Sequence, residues 1–354
     1  MSANEFLDIR LGFVNIWVRK SRGNNEINFG SFECINKFVE PFVETSAFRA
    51  MFAVVIVLLL AAGSSSQTQI RPASNEIVVK SEPNATIWIN DVRYGETDES
   101  GIFRVRRSPA GRKTIRVRAY GFKEGSVPLI STKTTEVQIT LTKTDDKAEL
   151  AYQDAERSAA IDRGKAVELY KKAIELRPVF PEAYLGLART QAERGSIEAA
   201  FAAINSALRL RPVYAEALAV KGRLLKDTGE EARAIAEFKR AISLGRGFQP
   251  EAHTGLGILY QERAEMKLSN GEIAQADRDY DEAAKNLTAA IKQLGGSPDA
   301  GTIFQLLGRI LEHQQKFEEA IALYQEFLAD FPDSVDAPAV ASFIVQLRKQ
   351  LEEQ

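Results

Sequence analysis

The stretch PEAYLGLARTQAERGSIEAAFAAINSALRLRP, residues 181–212, decides how the C-terminal part of the chain folds. Its landmarks recur at one distance. Ala166, Ala200 and Ala234 are 34 residues apart, as are Ala173, Ala207 and Ala241, Pro178 and Pro212, and Gly195 and Gly229. A fixed period of this length means stacked copies of one supersecondary unit, each burying its apolar face against its neighbours. Gly195 turns the chain in mid-copy. Pro212 stops the run, because it lacks an amide donor and its ring clashes with the preceding helical turn.

A 34-residue helix–turn–helix unit resembles the tetratricopeptide repeat. The resemblance implies that Tyr184 and Leu187 wedge into the preceding copy. Ala188 and Ala200 are then small because the two helices cross there, and Ala207 because the next copy packs on it. The array is expected over 150–336, as about five copies. The first, at about 150–178, reads as a degenerate opening unit two residues short between its helices. The third, 215–246, keeps Gly222, Gly229, Ala234, Phe238 and Ala241. In the fifth, 301–332, Phe327 replaces a small residue, which predicts a looser contact with the following helix. An amphipathic closing helix over 337–354, with Phe343, Ile344, Leu347 and Leu351, follows, as an open solenoid requires.

The fourth copy departs from the period. His253, Leu256 and Gly257 open it, but its crossing alanine, Ala283, comes fourteen residues late. Gly271 stands seven residues beyond the expected turn. Seven residues are about two helical turns, so both helices are predicted to lengthen together and turn at Ser269–Gly271. Ala264, Met266, Leu268, Ile273 and Ala276 are expected to pack against each other in the extension.

In tetratricopeptide arrays the first helix of each copy lines the inner groove. Carried over, this gives Glu182, Leu185 and Arg189, then Glu216, Ala219, Arg223 and Lys226, then Ile258 beside Thr254 and Gln261, then Gln305, Arg309 and His313. Arg189 and Arg223 lie one period apart and predict a cationic ladder suited to an acidic peptide, since a guanidinium grips a carboxylate at two points. The alternative is that they pair with Glu182, Glu193, Glu216 or Asp227 within the array.

Residues 75–143 follow a different rule. Ala85, Ile87 and Ile89 alternate with polar or bulky neighbours, as do Phe103 and Val105, then Ile115, Val117 and Ala119, then Val137, Ile139 and Leu141. Period-2 alternation in short runs marks half-buried strands. Turn residues stand between them at Asn90-Asp91, Tyr94-Gly95, Ser108–Gly111 and Tyr120-Gly121. The expected fold is a small antiparallel sandwich or sheet. The segments VVKSEPNATIWINDVRYGET, SPAGRKTIRVRAYGF and VQITLT together resemble the PEGA domain, which implies an extracytoplasmic β module without catalytic residues. Asp98 stands where the family has proline. Pairing 103–107 with 113–119 through the turn at 108–111 predicts Arg104, Arg106, Arg116 and Arg118 on one outward face. Like charges so placed repel. Solvent screening, acids such as Asp98, Glu99 or Glu124, or an anionic wall polymer, lipid or acidic protein would offset the repulsion.

The fourteen residues from Ala50 to Gly63 carry no charge. They are short for a membrane span, which needs about 20, and fit the apolar core of a signal peptide. Ala62-Gly63-Ser64 supplies small residues for cleavage. Residues 51–66 are thus a signal peptide or an inner-membrane anchor, and 67–74 a linker. The leader 1–50 is a gene-model artefact in the first reading and a cytoplasmic tail in the second. Either exports the rest of the chain to the periplasm or cell envelope. A second linker is expected at 144–149.

The formal net charge of −2 gives no electrostatic reason to expect nucleic acid. The single cysteine, Cys34, excludes an intrachain disulfide and a multi-cysteine zinc site, and His253 and His313 stand sixty positions apart. TGLGIL at 254–259 lies inside a repeat, where Gly257 is a packing residue. No phosphate loop or nucleophile elbow is present, so no enzyme activity, metal or cofactor is expected. The leading expectation is an envelope scaffold holding a protein or peptide partner in the repeat groove, with the β module docking to the envelope or a subunit. The alternatives are an anchor that grips an anionic polymer or lipid through the arginine face, and a secretion or assembly adaptor.

Overall fold

The computed structural model describes residues 6–11, 14–20, 27–29, 76–108, 113–129 and 135–353. The apolar run, its cleavage site, the linker at 67–74 and Pro109–Gly111 lie outside them. The chain divides into two compact units, Met1–Arg71 and Pro72–Gln354. In the first, β1 (Phe6–Leu11), β2 (Val14–Lys20) and β3 (Ile27–Phe29) form an antiparallel sheet in that order.

The second unit opens with two sheets packed face to face. One has the order β10 (Glu136–Gln138), β4 (Ile77–Lys80), β7 (Ile102–Val105); the other β6 (Val92–Glu96), β5 (Thr86–Ile89), β8 (Lys113–Arg118), β9 (Gly125–Leu129). All pairs are antiparallel except β10 with β4. Alternation delivers Ile77, Val79 and Val105 from the first sheet, and Ile87, Ile89, Ile115 and Val117 from the second, into one buried core. Asn90 and Asp91, both at positive φ, close the two-residue hairpin between β5 and β6.

Two sequence expectations for this module need correction. Tyr94-Gly95 is no turn but part of β6, where a Cβ on Gly95 would meet the Phe103 ring at 2.6 Å. Glycine there lets the ring lie on the strand. More consequentially, β7 does not pair with β8. It runs beside β4, with Val105 opposite Ile77, while β8 lies between β5 and β9. Val105 and Ile115 face the same core from opposite sheets, so the chain changes sheet between them.

Eleven helices follow among the described residues, as five antiparallel pairs and a closing helix. The pairs are α1 (Lys147–Ala159) with α2 (Arg163–Leu176), α3 (Pro181–Glu193) with α4 (Ile197–Leu210), α5 (Ala215–Asp227) with α6 (Glu231–Leu244), α7 (Pro250–Ser269) with α8 (Ile273–Leu294), and α9 (Ala300–His313) with α10 (Phe317–Asp330); α11 (Ala337–Glu352) closes the array. The first pair is not shortened. Its helices start 34 residues before those of the second, and Asp146 and Asp162 cap them by accepting backbone N–H bonds. An aspartate cap there does the work that a turn glycine does elsewhere. Gly195, Gly229 and Gly271 turn the next three pairs at φ 75°, 77° and 78°.

Small residues set the helix crossings. Ala188, Ala200 and Ala207 are fully buried. The buried Phe238 ring lies between Gly222 and Gly255, where added Cβ atoms would sit 2.7 and 2.3 Å from it. Phe327 packs within its own copy. It is 1% exposed and packs with Phe304 and Phe331 at centroid distances of 5.8 and 5.3 Å. On α11, Val340, Ile344 and Leu347 face inward, while Phe343 is 43% exposed.

In the fourth pair α7 has 20 residues and α8 has 22, against 13 and 14 in the third. The predicted extension and its turn are present, but its packing is polar as much as apolar. Ala264 and Ala276 are buried, whereas Met266, Leu268 and Ile273 are exposed. Arg263 instead forks onto Asp279 at 2.7 and 2.5 Å, and Lys267 adds a bond at 2.7 Å.

Candidate functional site

The β module lies across the inner side of the helical array and is held at both ends. At the near end, Arg118 pairs with Glu156 of α1 and with Glu124 at 2.6 Å, and donates to the Tyr152 hydroxyl at 3.1 Å. Gln153 accepts from Gly121 N–H at 2.9 Å and donates to Phe122 carbonyl at 2.8 Å. At the far end, the Tyr94 hydroxyl donates to the Leu294 carbonyl at 2.7 Å, and Gly296 N–H to the Arg107 carbonyl at 3.2 Å. Arg107 pairs with Glu326 and Asp330, both at 2.6 Å, and Arg106 with Asp333 at 3.2 Å. The apolar core of the module is continuous with that of the C-terminal copies.

Between the module and the helices lies a cavity of about 1870 Å³. One wall is the outward face of the four-stranded sheet, where Thr86, Trp88, Arg93, Arg116 and Arg118 alternate with the inward core residues. Trp88 lies under both Arg116 and Arg118, with guanidinium-to-centroid distances of 5.2 and 5.3 Å. The other wall comes from the first helices of successive copies. Glu182, Leu185 and Arg189 project from α3; Glu216, Arg223 and Lys226 from α5; Thr254 and Ile258 from α7.

Glu182, Leu185, Arg189, Glu216, Arg223, Lys226, Thr254 and Ile258 thus share one cavity, whereas Ala219, Gln261, Gln305, Arg309 and His313 do not line it. Gln305 donates to Asp336 at 3.0 Å and Arg309 is exposed. On α9 the cavity side is instead Thr302, Ile303 and Leu306. Leu307, Gly308 and Ile310 are buried at the helix crossing, and Gln305 is engaged by Asp336 at the start of the closing helix.

The arginines of the groove are paired within the array. Arg189 bonds Glu216 at 3.1 Å and Glu251 at 2.6 Å, and Arg223 approaches Glu251 at 3.8 Å. Burial pushes the Glu216 carboxyl up, and Arg189 pulls it back. Each acid opens a first helix, and each arginine sits seven residues later, so the arginine of one copy meets the acid of the next. A second ladder repeats beside it. Arg177 pairs with Asp146 and covers Phe180 at 4.4 Å; Arg211 pairs with Glu182 and covers Tyr214 at 4.5 Å. The repeated Arg-Pro-Val-aromatic at 177–180 and 211–214 is the sequence sign of it.

The arginines expected on one β face stand on two. Arg104 and Arg106 belong with β7, the former 3.7 Å from Glu76 and the latter paired with Asp333. Arg116 and Arg118 belong to β8 and line the cavity; Arg116 lies 3.3 Å from Asp91 and 3.7 Å from Glu124. Glu124 is the one foreseen acid that meets them. His253 is a packing residue, near Asn286 at 3.0 Å, and His313 lies against Tyr280 with the rings tilted and their centroids 4.6 Å apart.

Family models of the tetratricopeptide repeat match residues 159–224, 215–245 and 268–335. Comparison with curated protein sequences gives no match. Similar solved structures include the MamA protein (20% identity, 53% of this chain and 94% of that chain, TM-score 0.38). Yeast Tom70 aligns at 18% identity over 58% of this chain and 41% of its own, with TM-score 0.46. TTC0263, a tetratricopeptide protein of Thermus thermophilus, aligns at 20% identity over 56% of this chain and 99% of its own, with TM-score 0.43. The 34-residue helix pairs and the matched models identify the fold: a tetratricopeptide-type solenoid preceded by a β module.

Proposed function

We propose that this chain is a non-enzymatic scaffold of the cell envelope that holds an extended segment of a partner protein in the cavity between its β module and its repeat array. Tetratricopeptide-repeat proteins are generally interaction scaffolds rather than enzymes. The observation that carries the proposal is the two-walled cavity: Trp88 with its flanking arginines faces Leu185 and Ile258, so a polypeptide there meets aromatic, apolar and charged groups from both sides. Pockets with an apolar lining and a few convergent polar groups are the usual form of binding sites. A preference for acidic peptide is not part of the proposal, because Arg189 and Arg223 already meet Glu216 and Glu251. The envelope location rests on the uncharged run 50–63 and on the PEGA-like pattern of the β module.

A photo-crosslinking residue at position 258, compared with one at the exposed Lys239, tests the site in intact cells. Trapping of a defined partner from 258 and not from 239 is expected; equal trapping from both would remove the cavity from the mechanism. Recovery of the protein with cytoplasmic rather than envelope fractions would overturn the location.

A further inference from the structure

We infer that the β module is a hinged gate over the repeat groove, fixed at α1 and released at the C-terminal copies, and that the partner is admitted when the far seam opens. The inference rests on the cavity being the partner site. The two seams differ in kind. At the near one the module runs directly into the array: Phe122 bridges Lys143, Thr144 N–H bonds the Gly121 carbonyl at 2.9 Å, Asp146 caps α1, and the Arg118 side chain is only 11% exposed among its acids. Parting there would strain a covalent connection and bare a buried cation.

The far seam has no covalent link. Its contacts among the described residues are the Tyr94–Leu294 and Gly296–Arg107 hydrogen bonds, the apolar continuity beneath them, and the three ion pairs of Arg106 and Arg107. Most of these charged side chains are more than a third exposed, Asp330 being the buried one at 8%. Exposed pairs are weak and screened by salt. The closed state is therefore held by an apolar contact continuous with both cores, two hydrogen bonds and a set of separable charges. It also covers part of the inner helix face that a partner would have to reach, so binding in the cavity and opening of this seam are linked through the fraction of molecules already open.

Two measurements on the full chain, both with Cys34→Ser, test the gate. In the first, fluorophores at Glu99→Cys and Glu318→Cys, both exposed, report the distance between the module and α10. Glu326→Lys with Asp330→Lys turns the latch repulsive and is expected to add a longer-distance population, and adding Arg107→Glu to remove it. Glu326→Lys alone, on the more exposed acid, is the control should the double change fail to fold. A distance unchanged by latch reversal, in whichever of these variants folds, overturns the gate.

The second uses Arg107→Cys with Gly296→Cys. A Cβ on Gly296 would lie 3.3 Å from that of Arg107, close to disulfide range. Oxidation locks the seam, whereas reduction leaves it without the ion pairs of Arg107. With the crosslinker at 258, trapping is expected to fall at least about tenfold in the locked form relative to the reduced form. Equal trapping in both would mean that the partner threads a closed ring, overturning the gate while leaving the cavity reading standing. Absence of trapping in both would count against the cavity reading instead, and the distance measurement then decides the gate by itself.

Discussion

The third and fourth helix pairs are built on the same crossing and differ in what lies beyond it. In the third, Gly222 and Ala234 let the helices close on Phe238, and Gly229 turns the chain about two helical turns later. In the fourth, Gly257 and Ala283 make the equivalent crossing, with Leu287 against Gly257, but each helix runs on for about two further turns before Gly271. The core is kept and the tip is added. A solenoid tolerates length only when both helices gain it in whole turns, because any other increment would rotate the apolar stripe out of the array. Beyond the crossing the neighbouring copies still reach the base of the extension, Glu231 meeting Arg263 at 3.1 Å and His313 lying against Tyr280, and the packing changes from buried rings to the Arg263–Asp279–Lys267 cluster.

This contrast makes its strongest prediction at the crossing. Phe238 is fully buried between copies three and four, so Phe238→Ala should cost about 3–5 kcal/mol. Gly222→Ala should cost about 1–3 kcal/mol by overpacking, since the ring is hemmed in by Gly255 on its other side. Chemical denaturation followed by circular dichroism measures both. A Gly222→Ala variant as stable as the parent would show that the crossing has slack.

The extension should respond to charge rather than volume. Asp279→Ala leaves Arg263 and Lys267 without their shared partner and should cost about 1.5–3 kcal/mol. Burial would raise the Asp279 carboxyl, but hydrogen bonds from Arg263 and Lys267 outweigh it and hold the pKa below the usual carboxylate range. A depressed folded value stabilises above the unfolded value of about 3.9 and ceases to do so as pH falls through the folded one. Acid titration of the parent should therefore lose this contribution below about pH 4, and Asp279→Ala should lack that step. Hydrogen exchange confined to α7 and α8 locates it.

The turns give a smaller effect. Gln315 takes the left-handed conformation, φ 58°, at the place where three earlier pairs have glycine. Gln315→Gly should stabilise the fifth pair by about 1 kcal/mol, and Gly271→Ala should cost a similar amount at the hairpin tip. Equal melting of Gln315→Gly and parent would show that the turn is not strained.

The helical array was legible because its signals are local and repeated: Ala188, Ala200 and Ala207 are small for one geometric reason, and the period exposes it. Gly271, read with the late Ala283, was enough to give the extended hairpin. Strand order was not legible. Val105 and Ile115 show identical alternation whether they share a sheet or face each other across one, and nothing in residues 102–118 distinguishes the two. The cavity was half legible for the same reason. Glu182, Arg189 and Ile258 follow from the repeat, whereas Trp88 and Arg118 enter through packing between distant parts of the chain, which no spacing records.

The smallest expected effect on stability separates scaffold from site. Arg189 and Arg223 line the cavity in register, one period apart, and each meets an acid of the next first helix. Their side chains are 36% and 40% exposed, so solvent screens much of the attraction, although burial of Glu216 raises the cost of leaving it unpaired. The double change Arg189→Ala, Arg223→Ala should therefore lower stability by about 0–1 kcal/mol, far less than one ring at the crossing. Removing the cations also leaves Glu216 and Glu251 without these partners on one wall, which makes the local field more negative without moving a helix. If the partner segment is read by that wall, crosslinking from 258 should fall in the double variant while its melting curve stays near that of the parent. If both are unchanged, recognition shifts to the opposite wall, and Trp88→Ala becomes the variant that abolishes trapping. A melting loss comparable to that of Phe238→Ala would instead show that the ladder of charges, rather than the small-residue crossings, holds successive copies together.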